Sequence, residues 1–392
     1  MRIAIAGAGI GGLAAAIALR RDGHEVVVYE QASKLSEIGA GIQLSPNANR
    51  VLAWLGLLDE VERVAVEPGW GDLRRWEDGS VLVSQALGDE VRQSFGFPYF
   101  HVHRADLHNL LVRAAGDSDL HLGHKLSGFE EAGAGVRLRF DDGANSSPFD
   151  LLVGADGIHS AVRQQLFGDE SPRFSGNAVW RGLVDRNSVA DLDLPVNSHA
   201  FLGPDRHFVA YYVNSGRFVN WVGVAPTRTW DAESWTQEGR FDDAVADFAG
   251  WCPTVTGLID AMREQPIYRW ALFDRDPLPA WSRGPVTLLG DACHPMLPFM
   301  AQGAAQAIED AAVLTGCIAA TADPTAAAKR YEELRRDRTA KVQLAARSNE
   351  VMFHLPDGPE QQERDQRLGS PASATGHRNA WLFDYDATTA AL

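Results

Sequence analysis

The hydrophobic pattern of the first thirty residues changes from strand-like to helical and back. Arg2 to Ala6 is a short apolar run of the kind that forms a buried strand. A glycine-rich turn follows, then an alanine-rich helical pattern from Leu13 to Arg21 and a second apolar run from Glu25 to Tyr29. This order predicts the strand–turn–helix–strand unit with which a parallel sheet begins.

The middle of the chain has a different pattern. From Gly176 to Val224, short apolar runs alternate with polar residues and include Trp, Tyr and Phe, which is typical of an antiparallel sheet. The stretches 136–140 and 150–153 are predicted to be strands that pair with each other and lead back to the first unit. Helices are predicted over 241–250 and 254–263.

The last third is predicted to be mostly helical. Val286 to Leu289 has the pattern of a buried strand, and the stretches 301–320 and 325–353 have helical patterns. Beyond Leu355 the chain is rich in Gly, Pro, Gln and Ser, and we expect a mobile segment up to Trp381. The order of elements predicts an α/β fold: a Rossmann-like domain with an interleaved antiparallel-sheet (α+β) domain and C-terminal helices.

The composition is that of an ordinary globular protein, with 45% hydrophobic and 22% charged residues among 392. A formal net charge of −16 argues against a nucleic acid or an anionic membrane as a partner. The three cysteines show no metal-ligand spacing and no disulfide framework, and the chain starts on a predicted core strand. We therefore expect a cytoplasmic protein with no signal peptide, no bound metal and no membrane span.

A glycine motif follows the first predicted strand. Gly7 allows a tight turn, Gly9 lets the backbone approach a pyrophosphate, and Gly12, beside Gly11, lets the helix pack close to the sheet. The free N–H groups at the start of the helix then hold the diphosphate of a dinucleotide. Glu30 ends the second strand, 18 residues after Gly12, where a carboxylate accepts hydrogen bonds from a ribose.

Two further segments of Gly and Asp follow predicted strands. Asp156–Gly157 lies between a strand and a helix, and Gly290–Asp291 follows the strand that ends at Leu289. A carboxylate at such a strand end accepts hydrogen bonds from ribose or ribityl hydroxyls, and the adjacent glycine permits close approach of the backbone. Because all three segments fit one bound dinucleotide, together they are far more informative than a glycine motif alone.

These segments resemble those of single-component FAD-dependent aromatic hydroxylases, the para-hydroxybenzoate hydroxylase-like group of flavoprotein monooxygenases. The resemblance covers residues 1 to about 350 and includes the stretches 103–107, 290–295, 302–303 and 309–310. Within the group, the chain is most similar to salicylate 1-hydroxylases, 3-hydroxybenzoate 6-hydroxylases and 6-hydroxynicotinate 3-monooxygenases. The resemblance implies a discontinuous FAD-binding domain (1–70, 100–175 and 280–320), a substrate domain (71–99 and 176–279) and a C-terminal helix and tail (321–392).

The resemblance also assigns contacts with FAD to each of the three segments. It places Arg104 at the pyrophosphate and ribityl region, Asp291 at a ribityl hydroxyl, and Asp156 at both FAD and the reduced nicotinamide. The flavin ring is expected near the start of the helix at Gly303, whose N–H groups stabilise the negative charge of the reduced flavin. The predicted cofactor-binding residues are Gly7, Gly9, Gly11, Gly12, Glu30, Gln31, Arg104, Asp156, Gly157, Gly290, Asp291, Gly303 and Ala304.

The stretch 207–212 is predicted to form a strand of the mid-chain sheet. Alternation places His207 and Tyr211 on one face, so both side chains can reach one phenolic oxygen. In the hydroxylases that the chain resembles, a His and a Tyr at this spacing are implicated in deprotonating the substrate hydroxyl, because a phenolate reacts more readily with the flavin C4a-hydroperoxide. From the residues alone, a buried structural histidine with an aromatic neighbour is the alternative.

Four further residues are predicted to contact the substrate. Pro298 and Phe299 are expected at the edge of the flavin ring, together with Gln43. Arg181 offers forked donors to a substrate carboxylate, or else pairs with an acid at the surface. Salicylate- and hydroxynicotinate-type members tend to carry His at the position of Phe299, and the latter also at Gln43, which weakens the transfer of those substrates. His294 is interpreted as mainly structural.

The leading hypothesis is an FAD-dependent monooxygenase that hydroxylates a phenolic or hydroxylated (hetero)aromatic acid with NADH or NADPH and O₂. Decarboxylation accompanies hydroxylation if the attacked carbon bears the carboxylate. The partners would be the small aromatic substrate, O₂ and NAD(P)H, and the protein a monomer or a homodimer. The alternatives are a tailoring oxygenase or epoxidase that acts on a larger natural product, and a non-catalytic flavin redox sensor.

Overall fold

Two large β-sheets and a set of helices organise the computed structural model, which describes residues 1–35, 40–116, 119–133, 135–227, 238–370 and 377–391. The strands are β1 (Arg2–Ala6), β2 (Glu25–Glu30), β3 (Gly41–Leu44), β4 (Trp70–Arg75), β5 (Val81–Ala86), β6 (Phe100–His103), β7 (Leu120–Leu122), β8 (Leu126–Ala132), β9 (Gly135–Phe140), β10 (Leu151–Gly154), β11 (Arg173–Asp185), β12 (Ser198–Gly203), β13 (Arg206–Val213), β14 (Phe218–Pro226), β15 (Tyr268–Asp274), β16 (Ser282–Arg283) and β17 (Val286–Leu288). The helices are α1 (Ile10–Arg21), α2 (Pro46–Trp54), α3 (Leu58–Val64), α4 (Asp89–Phe95), α5 (Arg104–Ala115), α6 (Ala161–Phe167), α7 (Phe241–Asp247), α8 (Pro253–Asp260), α9 (Gly303–Ala319), α10 (Pro324–Phe353), α11 (Pro359–Leu368) and α12 (Ala380–Phe383).

The first sheet combines strands from both ends of the sequence and from its middle, in the order β16-β17-β10-β1-β2-β7. β1 pairs in parallel with β10 and with β2, and β10 pairs in parallel with β17. β10 is buried along its whole length, and β1 along all of it except Arg2, as their apolar runs predict. Helix α1 packs against α5 and α9, and its small residues Ala14, Ala15 and Ala16 are fully buried.

The second sheet has the order β15-β11-β14-β13-β12-β4-β5 and is antiparallel except for the pair of β4 and β12. On β13, residues 208, 210 and 212 belong to the core on one face, whereas His207, Val209 and Tyr211 face a cavity on the other. The predicted α/β fold class, with a largely antiparallel second sheet interleaved in the chain, is confirmed. We keep the division into domains at the boundaries given above as a proposal.

One predicted strand pair is wrong. β9 covers the stretch 136–140, but it pairs antiparallel with β8, whereas β10 lies between β1 and β17 in the first sheet. A single bridge between Val136 and Phe149 connects the two stretches. The reason is burial, because all four residues of β10 are buried, and a strand that is apolar on both faces is stabilised most in the interior of a parallel sheet.

The expectation of a mobile segment after Leu355 is wrong for Pro359–Leu368, which form α11. The helix starts with Pro359 in its first turn, where proline is favoured, and buries Gln361, Arg364 and Leu368 at helical spacing. Residues 371–376 of the expected segment lie outside the described residues. In the part of the chain that the structure describes, no helix combines the length and the apolarity that crossing a bilayer requires.

Candidate active site

The glycine turn after β1 is held in close contact with the chain around it. Gly7 has a φ of +106°, and a Cβ added there would lie 2.3 Å from the carbonyl oxygen of Ala155. A Cβ at Gly12 would lie 2.1 Å from the carbonyl oxygen of Gly7. By contrast, a Cβ at Gly9 or at Gly157 meets no protein atom within 4 Å. The turn therefore has two tightly packed glycines, while Gly9, at the start of α1, borders open space.

The three predicted nucleotide segments lie side by side. The N–H of Ala155 donates to the carbonyl of Ala6, and the N–H of Leu289 donates to the carbonyl of Gly154, at 2.8 and 2.9 Å. A Cβ at Gly11 would lie 2.6 Å from the side chain of Leu289. The ends of β1, β10 and β17 are thus in direct contact, and each is followed by its glycine-containing segment.

Two acidic side chains next to the three nucleotide segments, Glu30 and Asp156, are placed to accept hydrogen bonds. The carboxylate of Glu30 accepts the backbone N–H groups of Ala8 and Ala32, each at 2.8 Å, so it lies beside the glycine turn. Oδ2 of Asp156 accepts the N–H of Val162 at 3.2 Å, whereas its Oδ1 is buried without a hydrogen-bond partner among the described residues. Burial also raises the pKa of Asp156. The neighbouring Gln31 is exposed.

The residues present fit FAD. Open space over Gly9 at the start of α1 suits a diphosphate, because the free N–H groups of a helix N-terminus bind phosphates. The buried Oδ1 of Asp156 lacks the donor that a bound hydroxyl or amide would supply. Asp291 lines the large cavity described below; enclosure raises the pKa of this carboxyl, and the charges of His294 and Arg104 oppose the rise. The individual binding roles stay predictions.

Gly9→Ala and Gly12→Ala are expected to separate cofactor binding from folding. The methyl group at Gly9 enters open space, so the apoprotein should keep its free energy of unfolding while FAD binds about tenfold more weakly, or ~1.4 kcal/mol. The methyl group at Gly12 overlaps the backbone of Gly7, so Gly12→Ala should destabilise the apoprotein itself. Urea unfolding of the apoproteins and fluorescence titration with FAD measure the two effects. Equal FAD affinity of Gly9→Ala and the wild type would contradict the prediction.

A cavity of about 900 Å³ lies between the second sheet and the start of α9. It joins residues from β3, β11, β13 and the loop before α9, which are far apart in sequence. All the predicted catalytic and substrate-binding residues line it. Three of the predicted FAD contacts, Asp291, Gly303 and Ala304, line it as well. These lining residues are Gln43, Arg181, His207, Tyr211, Asp291, Pro298, Phe299, Gly303 and Ala304.

His207 and Tyr211 lie on the cavity face of β13 and are both buried. The ring of His207 meets the ring of Phe299 edge-on, with centroids 5.1 Å apart. Burial, and then the charge of His354, lowers the pKa of His207 well below its usual value, so its imidazole is a neutral base. Burial raises the pKa of Tyr211, although the charge of Arg181 opposes the rise, so its hydroxyl stays a donor.

Arg181 is a partly buried cation at the same cavity. Its guanidinium lies over the ring of Trp270, 4.3 Å from the centroid, and forms no ion pair with a carboxylate of the described residues. Burial lowers the pKa of Arg181 to about 10, which leaves the group charged at neutral pH. An uncompensated buried charge is costly, so an anionic ligand would stabilise this arrangement. Of the two roles that the sequence leaves open, a surface ion pair is not found among the described residues, and the contact with a substrate carboxylate stays a prediction.

The remaining predicted substrate contacts form the walls of the cavity. Gln43 accepts a hydrogen bond from the hydroxyl of Tyr99, which fixes its amide. The carbonyl oxygen of Phe299 accepts the side-chain N–H of Asn349 at 2.9 Å, which holds the short helix Pro298–Met300 against α10. The wall beside His207 is therefore aromatic and well fixed.

A buried network of charges fixes the loop that carries Gly290 and Asp291. Nε2 of His294 lies 2.6 Å from Oδ2 of Asp310, and Nε of Arg335 donates to Oδ1 of Asp310 at 2.7 Å. The same Oδ2 accepts the N–H of Gly290 at 3.1 Å, and Arg335 also binds Glu309. The structural interpretation of His294 agrees with this arrangement. Cys293, His294 and Asp310 lie close together, but Arg335 already neutralises Asp310.

Residues of the C-terminal tail form part of the cavity wall. His377, Arg378, Asn379 and Phe383 line it. The tail is held by its backbone and by its core side chains: Arg338 donates to the carbonyls of residues 381 and 382, Arg50 donates to those of 384 and 385, and the side chains of Leu382 and Phe383 are buried. Trp381 and Tyr385 instead pack against basic side chains of α10.

Comparisons with known proteins agree with this geometry. The model of the FAD binding domain family matches residues 1–348. A 3-amino-4-hydroxybenzoate 2-monooxygenase from Streptomyces platensis is 42% identical over 98% of this chain and 96% of its own length. A 6-hydroxynicotinate 3-monooxygenase from Pseudomonas fluorescens is 39% identical over 89% of this chain and 91% of its own.

A solved structure has the same fold. The crystal structure of Klebsiella pneumoniae HpxO complexed with FAD and uric acid superimposes with a TM-score of 0.84 at 32% identity, over 94% of this chain and 92% of that one. The relatives are monooxygenases, and the predicted cofactor, FAD, is confirmed by the family. The chain therefore belongs to the FAD binding domain family and, within it, to the flavin-dependent monooxygenases.

Proposed function

We propose that the protein hydroxylates a benzoate-type acid that carries a phenolic hydroxyl, using FAD, O₂ and NADH or NADPH. The observation that carries the proposal is one cavity, at the start of α9, that joins a neutral histidine, a protonated tyrosine and an arginine that forms no ion pair among the described residues. An aromatic acid with a phenol presents the groups that this set recognises: a carboxylate for the cation and a hydroxyl for the base and the donor.

The side chains of the cavity can activate such a substrate. FAD, when bound, supplies the redox chemistry by accepting hydride from the nicotinamide and activating O₂. Arg181 binds the carboxylate with parallel N–H groups. His207 accepts the proton of the phenol, and Tyr211 donates a hydrogen bond to the phenolate oxygen that results. The phenolate raises the electron density of the ring carbon that is attacked, and the aromatic wall at Phe299 excludes water.

The substrate class is indicated by what the relatives act on and by the residues that this chain carries at positions 43 and 299. The relatives above act on an aminohydroxybenzoate and on a hydroxynicotinate, both of which are hydroxylated aromatic acids. Phe299 and Gln43 stand where the hydroxynicotinate type tends to carry histidines. An apolar wall at Phe299 suits a benzene ring better than a polar pyridone, which is why we propose the benzoate type.

A substrate panel tests the proposal. We expect 3-amino-4-hydroxybenzoate or 3-hydroxybenzoate to stimulate NADH or NADPH oxidation and to give a product that contains one oxygen atom from ¹⁸O₂. Salicylate and 6-hydroxynicotinate serve as the competing ring types, and the product mass shows whether CO₂ is lost. Flavin that is reduced without giving an oxygenated product from any of these acids would favour the redox sensor. Conversion of only larger phenols would favour a tailoring oxygenase, for which the size of the cavity leaves room.

Arg181→Gln is expected to raise the KM of a hydroxybenzoate by roughly 10- to 100-fold, because a hydrogen bond to a charged group contributes about 1.5–3 kcal/mol. The matched phenol without a carboxylate should show the same KM with variant and wild type. Arg186→Gln is the control, since Arg186 also lies over an aromatic ring, that of Tyr212, but is exposed and does not line the cavity. Steady-state kinetics measures the effect, and an equal loss with the phenol would show that Arg181 does not bind the carboxylate.

A further inference from the structure

The nitrogen of His207 that faces away from the cavity meets a second histidine. Nδ1 of His207 lies 2.7 Å from Nε2 of His354, the residue that directly follows α10. The two ring centroids are 4.9 Å apart, and the ring of Phe353 meets that of His207 edge-on at 5.2 Å. The two histidines are 147 residues apart in the sequence, so no local pattern reveals the contact.

The pair leads from the cavity towards the surface. His207 is 3% exposed and lines the cavity, whereas His354 is only partly buried at the C-terminal end of α10. Imidazole has one nitrogen on each side of its ring, and a proton accepted at one nitrogen can leave from the other. Two imidazoles in series therefore offer a path for a proton from the substrate side of the cavity to the partly exposed end of α10.

The surroundings keep both rings neutral between transfers. Burial, and then the charge of His354, lowers the pKa of His207 well below its usual value. Burial, and then the charge of Arg206, lowers the pKa of His354 to about 4. A neutral pair passes a proton on and does not retain it. The other charged groups on the neighbouring elements have partners of their own: Asp247 with Arg206, Asp357 with Arg75, and Glu350 with Asn177.

We propose that His354 is the proton outlet of the active site, which receives through His207 the proton of the substrate hydroxyl and releases it at the end of α10. This proposal rests on the proposed function. In the resting pair, Nδ1 of His207 donates to Nε2 of His354, and Nε2 of His207 carries the lone pair that faces the substrate. His354 thus acts through His207 and does not touch the substrate.

The transfer balances in protons and bonds. When the substrate O–H bond breaks, Nε2 of His207 gains the proton, the Nδ1 proton of His207 moves to Nε2 of His354, and Nδ1 of His354 loses its proton to water. One proton enters the pair and one leaves it. The reverse transfer restores both tautomers when the product oxygen is protonated.

His354→Gln tests the proposal, because a glutamine amide can keep the hydrogen bond to His207 but cannot relay a proton. The probe is 4-hydroxy-3-nitrobenzoate, whose phenolate is coloured; it is mixed with the oxidised holoenzyme in a stopped-flow instrument at a pH below the pKa of its own hydroxyl, so that it enters as the phenol. We expect the phenol to ionise about tenfold more slowly in the variant, with a larger solvent isotope effect and with rescue by added imidazole. The deficit should shrink as pH rises, because hydroxide then takes over as acceptor.

Two further variants complete the design. His354→Phe keeps the aromatic packing but provides no hydrogen bond, and it should show the same or a larger deficit. His121→Gln removes an exposed histidine elsewhere and should leave ionisation unchanged. FAD content and the melting temperature show that each variant is folded.

The outcomes separate the inference from the proposed function. Wild-type ionisation rate and isotope effect in His354→Gln would overturn the proton outlet, even if hydroxylation is observed. Hydroxylation of no acid in the panel, with rapid ionisation of the nitrophenol in the wild type, would instead refute the proposed function. The result that we expect is slow ionisation in both His354 variants and rescue of both by imidazole.

Discussion

His207→Gln is expected to lower kcat for hydroxylation by about 10²–10⁴-fold, the usual contribution of a positioned general base. Glutamine fills a similar volume and can still bond to His354, but it cannot accept the phenol proton. FAD binding should be retained, because His207 lies on the second sheet, away from the glycine turn on the first. Product formation and the ratio of flavin to protein absorbance measure the two properties in one preparation.

Tyr211→Phe is the companion variant. It removes the hydroxyl that donates to the phenolate oxygen and keeps the ring that packs beside His101. We expect a smaller loss than for His207→Gln, on the order of 1.5–3 kcal/mol for one hydrogen bond to a charged group. Unchanged turnover in both variants would show that the proton acceptor lies elsewhere in the cavity.

The direction in which kcat and the stability of the wild type should change with pH follows from the lowered pKa of His207. Because the pKa of His207 is lowered from 6.5, the imidazole stays neutral as pH falls through that value, and kcat should not drop there. The free energy of unfolding depends on pH for the same reason. Below pH 6.5 the unfolded chain protonates this histidine, whereas the folded protein does not. The contribution of the neutral ring is therefore complete above pH 6.5 and is lost as pH falls towards the folded-state pKa.

Arg335→Leu is expected to destabilise the protein by about 3–5 kcal/mol, the cost of leaving buried charges without their partner. Arg335, Glu309 and Asp310 are all fully buried, and Arg335 binds both carboxylates. Because Asp310 also accepts the N–H of Gly290, the loop that carries Asp291 should lose its position and FAD content should fall. Urea unfolding and flavin absorbance measure the two effects.

Arg330→Leu is the control on the same helix. Arg330 is exposed and lies 3.8 Å from the carboxylate of Glu333, a surface pair of the kind that contributes about 0–1 kcal/mol. Burial alone would raise the pKa of Asp310, but the charges of His294 and Arg335 lower it to about 2. The stabilisation from this carboxylate is thus complete above its usual pKa of 3.8 and is lost as pH falls towards 2. Equal stability of Arg335→Leu and Arg330→Leu would mean that the network adds nothing.

The three segments that local patterns selected for the nucleotide do lie side by side in the structure. The glycine turn, Glu30 and the two Gly–Asp segments each have a signature within a few residues, because a turn and a strand end are local structures. Alternation along one strand was enough to place His207 and Tyr211 on a common face. The error at β9 and β10 concerns pairing, which depends on what covers each strand and not on the strand itself.

The parts that the sequence did not reveal depend on distant contacts. His354 and Arg335 gain their roles from partners on other elements: Nε2 of His354 lies 2.7 Å from Nδ1 of His207, and Arg335 binds Glu309 and Asp310. A weak signal did exist, since Glu309 and Asp310 are adjacent acids in an otherwise apolar helix and imply a buried cation. The tail carries no such signal, because its polar composition hides Phe383, which packs against Tyr99.

The tail residues that line the cavity are attached in part through main-chain oxygens, which every amino acid supplies. Arg338 and Arg50 bind these oxygens, whereas Leu382 and Phe383 hold the tail by their buried side chains. Positions 378 and 379 line the cavity but are not buried, so substitutions there change the shape of the space offered to the ring while the attachment and the flavin side stay as they are. Selection or design can retune which arenes this scaffold accepts by rewriting one short terminal stretch.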